Sequence, residues 1–519
     1  MTQPKKSNIE QHIENHLLTY HKLYLTIILL LIALIPIIQN ITTHQPLIRG
    51  DESYYHLTQS LTAPWYDLPH LTLHFLQRHL PLSTLIIIPL VLSLVTLHLS
   101  LKTLEHLNIP KKQNALFHLF LIITPAFMYT LTTLSSYSLY FFLLALGFYT
   151  LTSTQNLAFK QKKTTPLSLS HILSLISFFT IIFFDVWQIF FTLALLLLYY
   201  YSLNHNQNNN QRISTTHNQP QTESVQNITN FFQIILTIVG IIFLLKIFGA
   251  STLSESLIAG PFYLQNHWND FLSDFGSVAG ISIFLAILGF IGFILTRKQK
   301  QTFYSSLLFG LICLTLYFWH TQITIIFAIM IAYLSSIAFL HLLQRQWTIP
   351  PLKNFTLFII LLGLIFSTTT YLLRVNDLNP SAQDISSLTW ISQTYPLTEL
   401  NKLTAPQQKI FSLPENGNYI KYYTHITPLS TLQSVPQIQN ISQSILDSSY
   451  ITQLFPLLEE QNITLMYITT QMRQTLPSNQ NVLFLLKNER FKLVHTSENN
   501  EVWEFHPEPI KTTILPPKK

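Results

Sequence analysis

Two carboxylates, Asp51 and Glu52, stand side by side in the stretch IRGDESYYHL (48–57). Adjacent acids repel each other unless a cation or hydrogen-bond donors hold them. Two kinds of chemistry use such groups. A single carboxylate can act as general base on the hydroxyl of an acceptor. Carboxylates converging from separate loops can hold a hard divalent ion, Mg²⁺ or Mn²⁺, against a pyrophosphate. Asp185 and Glu255 are the further acids that a metal set of this kind, Glu52 with Glu255 and Asp185, would draw on. On charge alone, a structural role is the more ordinary one. Acids at the start of the helix ESYYHLTQSL answer its free N–H groups and its dipole.

The elements that must position these acids are apolar. The 519 residues are 10% charged and 48% hydrophobic, and the mean hydropathy is +0.32. A soluble protein is about one-quarter charged, so the composition points to a polytopic α-helical membrane protein. Eleven apolar runs are long enough to be expected as spans, each needing about 20 residues. They lie at roughly 22–41, 81–101, 114–131, 136–155, 167–184, 186–203, 229–249, 277–296, 303–319, 322–342 and 354–373. Threaded alternately, they put Lys5 and Lys6, Lys111 and Lys112, Lys162 and Lys163, Arg297 and Lys298, and Arg345 and Lys353 on one side. The positive-inside rule makes that side cytoplasmic, with residues 1–21 as a cytoplasmic segment and the first run as a retained anchor. The net charge of +6 is thus a topology signal, and no nucleic-acid partner is implied. The partners expected are membrane lipids. The single cysteine, Cys313, excludes an intramolecular disulfide.

The opposite side receives the loop 42–80, the turn at Asp185, the loop 250–276 with Glu255, and everything from about 374. This last part reads as a small α/β extracytoplasmic domain over 374–510, with a basic tail at 511–519. SAQDISSLTWISQTYP (381–396) has helical spacing, with Ile385, Leu388 and Ile391 on one face. NITLMYITT (462–470) reads as a buried strand and RFKLVHTSENNEVWEF (490–505) as a β-hairpin.

The stretch Gly50-Asp51-Glu52, followed by Tyr54, Tyr55 and His56, resembles the first-loop motif of the GT-C superfamily of polytopic glycosyltransferases. It is most similar to the catalytic subunits of archaeal-type oligosaccharyltransferases. Thr252-Leu253-Ser254-Glu255 is similar to that family's Thr-Ile-x-Glu motif. The resemblance implies a helical domain over 22–373 and an outer carboxy-terminal domain. It implies transfer of a sugar from a polyprenyl-phosphate or -diphosphate donor to a protein or glycan acceptor at the outer face. Glu52 falls at the family's catalytic acid, with Asp51 as a second catalytic candidate. Tyr55, His56, Glu255 and Arg374 are the implied substrate-binding residues. Arg374 is the guanidinium best suited to the leaving phosphate. Two family features are absent. The turn TLTTLSSYSL has no carboxylate where the family has a second acidic pair, and the Trp-Trp-Asp-Tyr-Gly signature is missing.

Two other classes remain beside this one. A non-catalytic relative working in cell-surface glycan assembly would keep the fold after loss of the second acidic motif. A secondary transporter would show internal repeats or charges at the membrane midplane, and neither is visible. The 20 histidines make no HExxH pattern, and 12 glycines supply no Walker loop, which argues against an ATP-driven transporter.

Overall fold

The computed structural model describes residues 8–43, 45–61, 67–161, 169–184, 188–200, 271–273, 280–317, 323–375, 379–396, 408–432, 434–476 and 481–507, with isolated positions at 63 and within 235–241. The chain divides into two compact units. The first comprises Met1–Ile38, Ala63–Leu257 and Pro261–Val375, and the second Gln39–Thr62, Ile258–Gly260 and Asn376–Lys519.

The first unit is helical. Its elements are α1 (Asn8–Thr42), whose last residues belong to the second unit, then α3 (Leu68–His79), α4 (Ile87–His106), α5 (Lys111–Ile122), α6 (Pro125–Thr132), α7 (Ser136–Gln161), α8 (Leu169–Ile181), α9 (Gln188–Tyr200), α10 (Ile283–Thr296), α11 (Lys300–Tyr317), α12 (Ile323–Gln344) and α13 (Pro350–Arg374). Among the described residues, four helices are long and apolar enough to cross a membrane: Leu18–Thr42, Ile87–His106, Thr324–Gln344 and Pro350–Arg374. The pair α5 and α6 makes a fifth if counted together.

Two expected runs take a different form. The run 81–101 begins as a 3₁₀ turn, Leu82–Thr84, and its helix starts only at Ile87. The run 114–131 is broken by a 67° bend between α5 and α6. Pro125 stands at the break and Thr124 before it is extended, at φ −76° and ψ 124°. A proline cannot donate to the helix ladder, and it drives its predecessor out of helical geometry. Among the described residues, the apolar segments from 167 to 203 and from 277 to 319 show the apolar stretches Leu169–Ile181, Gln188–Tyr200, Ile283–Thr296 and Thr302–Leu314, and residues flanking them lie outside the described set. Most of the run 229–249 lies outside the described residues.

Helices α10 and α12 pack closely, and the Ser335 hydroxyl donates to the Leu285 carbonyl at 3.0 Å. Such hydroxyl-to-carbonyl bonds hold helices together where lipid removes the hydrophobic driving force between them.

The second unit is an α/β domain with one added helix, α2 (Asp51–Leu61), contributed from early in the chain. Its carboxy-terminal part contains α14 (Ala382–Thr394), β1 (Lys409–Phe411), α15 (Gly417–Thr424), β2 (Thr427–Pro428), α16 (Pro436–Asp447), α17 (Ile451–Glu460), β3 (Ile463–Ile468), α18 (Thr470–Thr475), α19 (Asn481–Leu485), β4 (Phe491–Ser497) and β5 (Asn500–Phe505). The five strands lie in the order β2-β1-β3-β5-β4. β1 is parallel to both β2 and β3, whereas β5 is antiparallel to β3 and β4. The strand and hairpin expected at 462–470 and 490–505 are β3 and the β4–β5 pair. The helix expected at 381–396 is α14, with Leu388 and Ile391 fully buried.

β3 is central. Five of its six residues are buried, as a strand covered on both faces requires. Met466, Ile468, Leu454 and Leu458 join one apolar core beneath it. A polar link ties α14 to the sheet. Ser381 and Asp384 form a capping box. Asp384 also accepts from the Tyr467 hydroxyl and, at 2.8 Å, from the Asn500 amide. Asn500 in turn accepts the Thr470 N–H at 3.0 Å.

Candidate active site

The acid pair sits in the first turn of α2. The chain enters that turn through Gly50, whose φ of 75° lies in the left-handed region that glycine adopts without strain. The Ser53 N–H then bonds the Gly50 carbonyl at 3.1 Å, and the Ser53 hydroxyl donates to the Arg49 carbonyl. This local frame turns the two acids to different partners.

Asp51 faces α15. Its Oδ1 accepts the main-chain N–H of Asn418 at 3.2 Å, and its Oδ2 accepts from the Asn418 side-chain amide. The first N–H groups of a helix have no partner within it. The N-cap residue of α15, Asn416, makes no capping bond of its own, because its side-chain oxygen accepts from the Tyr419 hydroxyl. Asp51 therefore supplies the cap across 367 residues of sequence.

Glu52 is buried, at 7% exposure. Its Oε1 lies 3.5 Å from His56 Nε2, one helical turn on. The His56 ring also meets Tyr55 edge to face, with centroids 5.2 Å apart.

Tyr54 anchors the other side of α2. It is 1% exposed, and its ring packs among those of Tyr419, Tyr422 and Tyr423, at centroid distances of 6.1, 5.5 and 5.8 Å. Its hydroxyl lies 3.4 Å from that of Tyr423. Burial raises the Tyr54 phenol well above its usual range, with the neighbouring tyrosines adding to it. Tyr419 is raised by burial first, then by the negative charges of Asp384 and Asp51. Tyr467 is raised by burial and by Asp384.

These shifts have a defined sign. A phenol held above its unfolded value of 10.0 contributes stability that is complete below that pH and is lost as pH climbs past it. The domain is expected to unfold in alkali above pH 10, with tyrosinate absorbance rising together with loss of structure. Tyrosines that ionise independently, with the fold intact, would refute this packing.

The remaining sequence candidates are placed as follows. Arg374 ends α13, and its Nη1 donates to the Ser273 carbonyl at 2.9 Å. Asp185 and Glu255 lie outside the described residues. The turn at 130–138, where the resembled family carries acids, presents buried hydroxyls instead. Thr130 donates to the Phe127 carbonyl at 2.7 Å, Ser138 to that of Ser135 at 2.8 Å, and Thr132 lies 2.6 Å from the Tyr371 hydroxyl. Thr130 and Ser138 serve the local backbone, and Thr132 meets α13.

Among the described residues, no three His, Cys, Asp or Glu side chains gather as a metal centre. The described part of the expected metal set is Glu52 alone, with His56 beside it. That pair falls short of the oxygen-rich set a hard divalent ion requires.

Sequence reasoning did not find Asn418 or the tyrosine cluster. The stretch GNYIKYY (417–423) is conspicuous for its aromatics, but nothing in it names a partner so distant in the chain.

No protein-family model matches the sequence, and no curated protein is similar to it in sequence. Solved structures of the oligosaccharyltransferase of Archaeoglobus fulgidus do match its fold. The structure in complex with Zn and sulfate aligns with TM-score 0.54 at 11% identity, covering 87% of this chain and 68% of that one. The structure tethered to an acceptor peptide with the NVT sequon aligns with TM-score 0.53 at 13% identity, over 87% and 69%. The complex with an inhibitory peptide and a dolichol-phosphate aligns with TM-score 0.53 at 12% identity, over 88% and 70%. At this identity the likeness is one of fold. The chain shares the fold of this oligosaccharyltransferase, the kind of protein that the motif around Asp51 and Glu52 resembles.

Proposed function

We propose that this chain is a membrane glycosyltransferase. It moves a sugar from a polyprenyl-phosphate or -diphosphate donor to an acceptor at the extracytoplasmic face. The observation that carries the reading is Glu52: a buried carboxylate, in the first turn of a helix, at the catalytic acid position of the motif whose fold the chain shares. In this reading residues 1–21 are cytoplasmic and the domain at 374–510 is extracytoplasmic.

The proposed step needs one base. The acceptor hydroxyl attacks the anomeric carbon, its proton passes to a Glu52 carboxylate oxygen, and the bond to the lipid phosphate breaks. The phosphate leaves with the bonding electrons. His56, held next to Glu52, orients that carboxylate. Arg374 is assigned to the phosphate oxygens because a guanidinium matches them in charge and shape. Tyr55 is assigned to substrate contact. Glu255 is assigned to substrate contact, and Glu255 and Asp185, with Glu52, to a divalent ion that would neutralise charge on the donor phosphates.

A second reading is a non-catalytic relative in cell-surface glycan assembly. It is favoured by the hydroxyl-lined turn at 130–138, where acids would be expected. One experiment separates the two. The purified protein is incubated with lipid-linked sugars extracted from its host membrane and with peptide and glycan acceptors. Sugar-shifted acceptor and released polyprenyl phosphate in the mass spectrum support the enzyme. Donor retained in native mass spectrometry without turnover supports the relative, and absence of both defeats both.

A further inference from the structure

We propose that Asp51 is a positioning residue. It latches the first turn of α2 to the start of α15, so that the neighbouring carboxylate, Glu52, is set for chemistry. This inference rests on the reading of Glu52 given above.

Three observations support it. Both Asp51 oxygens face Asn418, one taking its main-chain N–H and the other its side-chain amide. The helix so capped has no cap of its own, since Asn416 is engaged by Tyr419. And the latch is placed next to the acid it would steady: the anchored carboxylate belongs to the residue immediately before Glu52, within the same helical turn. A carboxylate acting as cap to one helix while opening another gains from the dipoles of both. The chemistry of such a latch is that of a carboxylate facing an N–H and an amide, and a carboxamide can reproduce it.

The inference separates two roles that the acid pair by itself leaves merged. A chemical acid cannot be replaced by asparagine, whereas a latch can, provided its partner is changed to match. In Asn418→Asp the side chain sets a second carboxylate against Asp51, and the two repel. In the double variant Asp51→Asn with Asn418→Asp, the amide at 51 donates to the carboxylate at 418. Its carbonyl oxygen still takes the main-chain N–H. The bonds return with the charges exchanged.

The test uses the full chain in detergent or nanodiscs and the transfer assay above. Asn418→Asp is expected to lower kcat at least ten-fold with donor KM within about two-fold, and to speed amide exchange across 417–424. The double variant is expected to restore kcat to within about three-fold of wild type and to restore protection at Asn418. A double variant that regains protection yet transfers no sugar would show that Asp51 acts chemically, which overturns the inference. So would unchanged exchange in Asn418→Asp, since no latch would then exist. If Glu52→Gln transfers sugar as the wild type does, the reading of Glu52 fails and takes the positioning role with it. Exchange at Asn418 then still reports whether the latch itself is present.

Discussion

Glu52→Gln is expected to lower the rate of sugar transfer by about two to four orders of magnitude, the usual worth of a positioned general base. In barrier terms this is about 3 to 5.5 kcal/mol. The substitution keeps the shape of the side chain and its neighbour His56, so the melting temperature should barely move. Glutamine cannot take up the acceptor's proton. Initial rates of product formation, measured with donor at saturation, check the effect. A variant that transfers at the wild-type rate would remove Glu52 from the mechanism. A variant that is slow only because it has melted would show early unfolding in the same preparation.

Gly417→Ala is expected to have the second largest effect, and on stability rather than chemistry. A β-carbon at Gly417 would lie 2.3 Å from the Ser430 carbonyl oxygen and 2.8 Å from Thr431 Cγ2. The first of these belongs to the backbone, so it cannot rotate aside. The start of α15 must then shift, and overpacking of this kind destabilises by about 3 kcal/mol. The displaced helix carries Asn418 and Tyr419, so the loss should extend to the packing of Tyr54. Denaturant unfolding of the full chain, followed by hydrogen exchange at 417–424 and at 51–61, measures both. If Gly417→Ala leaves both regions protected, the close approach to Ser430 is absent in solution.

The sequence was legible where periodicity and composition act locally. β3 follows from an unbroken apolar run, ITLMYI, and the β4–β5 hairpin from two runs meeting at a polar turn. That turn places Glu498 at a φ of 51°. The capped start of α14 is written in Ser381 and Asp384 at the spacing of a capping box. β1 and β2 were not legible. Three residues and two residues are too short to carry a pattern, and what fixes them is parallel pairing across the sheet. Pro125 marked a break in an otherwise continuous apolar run, but composition within a window of about 20 residues averages over a single proline.

The candidate site divides in the same way. Asp51 and Glu52 stand out by charge in a chain with few charges. Their different fates do not, because these depend on which oxygen atoms meet α15, a contact across 367 residues. Tyr54 looks like one more aromatic at a membrane surface until its three tyrosine neighbours are seen.

The order of the sheet has a consequence for crowding. One border strand, β2, is two residues long and ends in Pro428, which has no N–H to offer an incoming chain. At the other border β4 is irregular between Leu493 and His495. There Trp390 stacks on His495 at 4.4 Å, and Ser386 lies 3.2 Å from Ser497. Among the described residues, neither rim gives a second copy a straight ladder to extend. Many copies can therefore stand close together without their sheets zipping into fibrils.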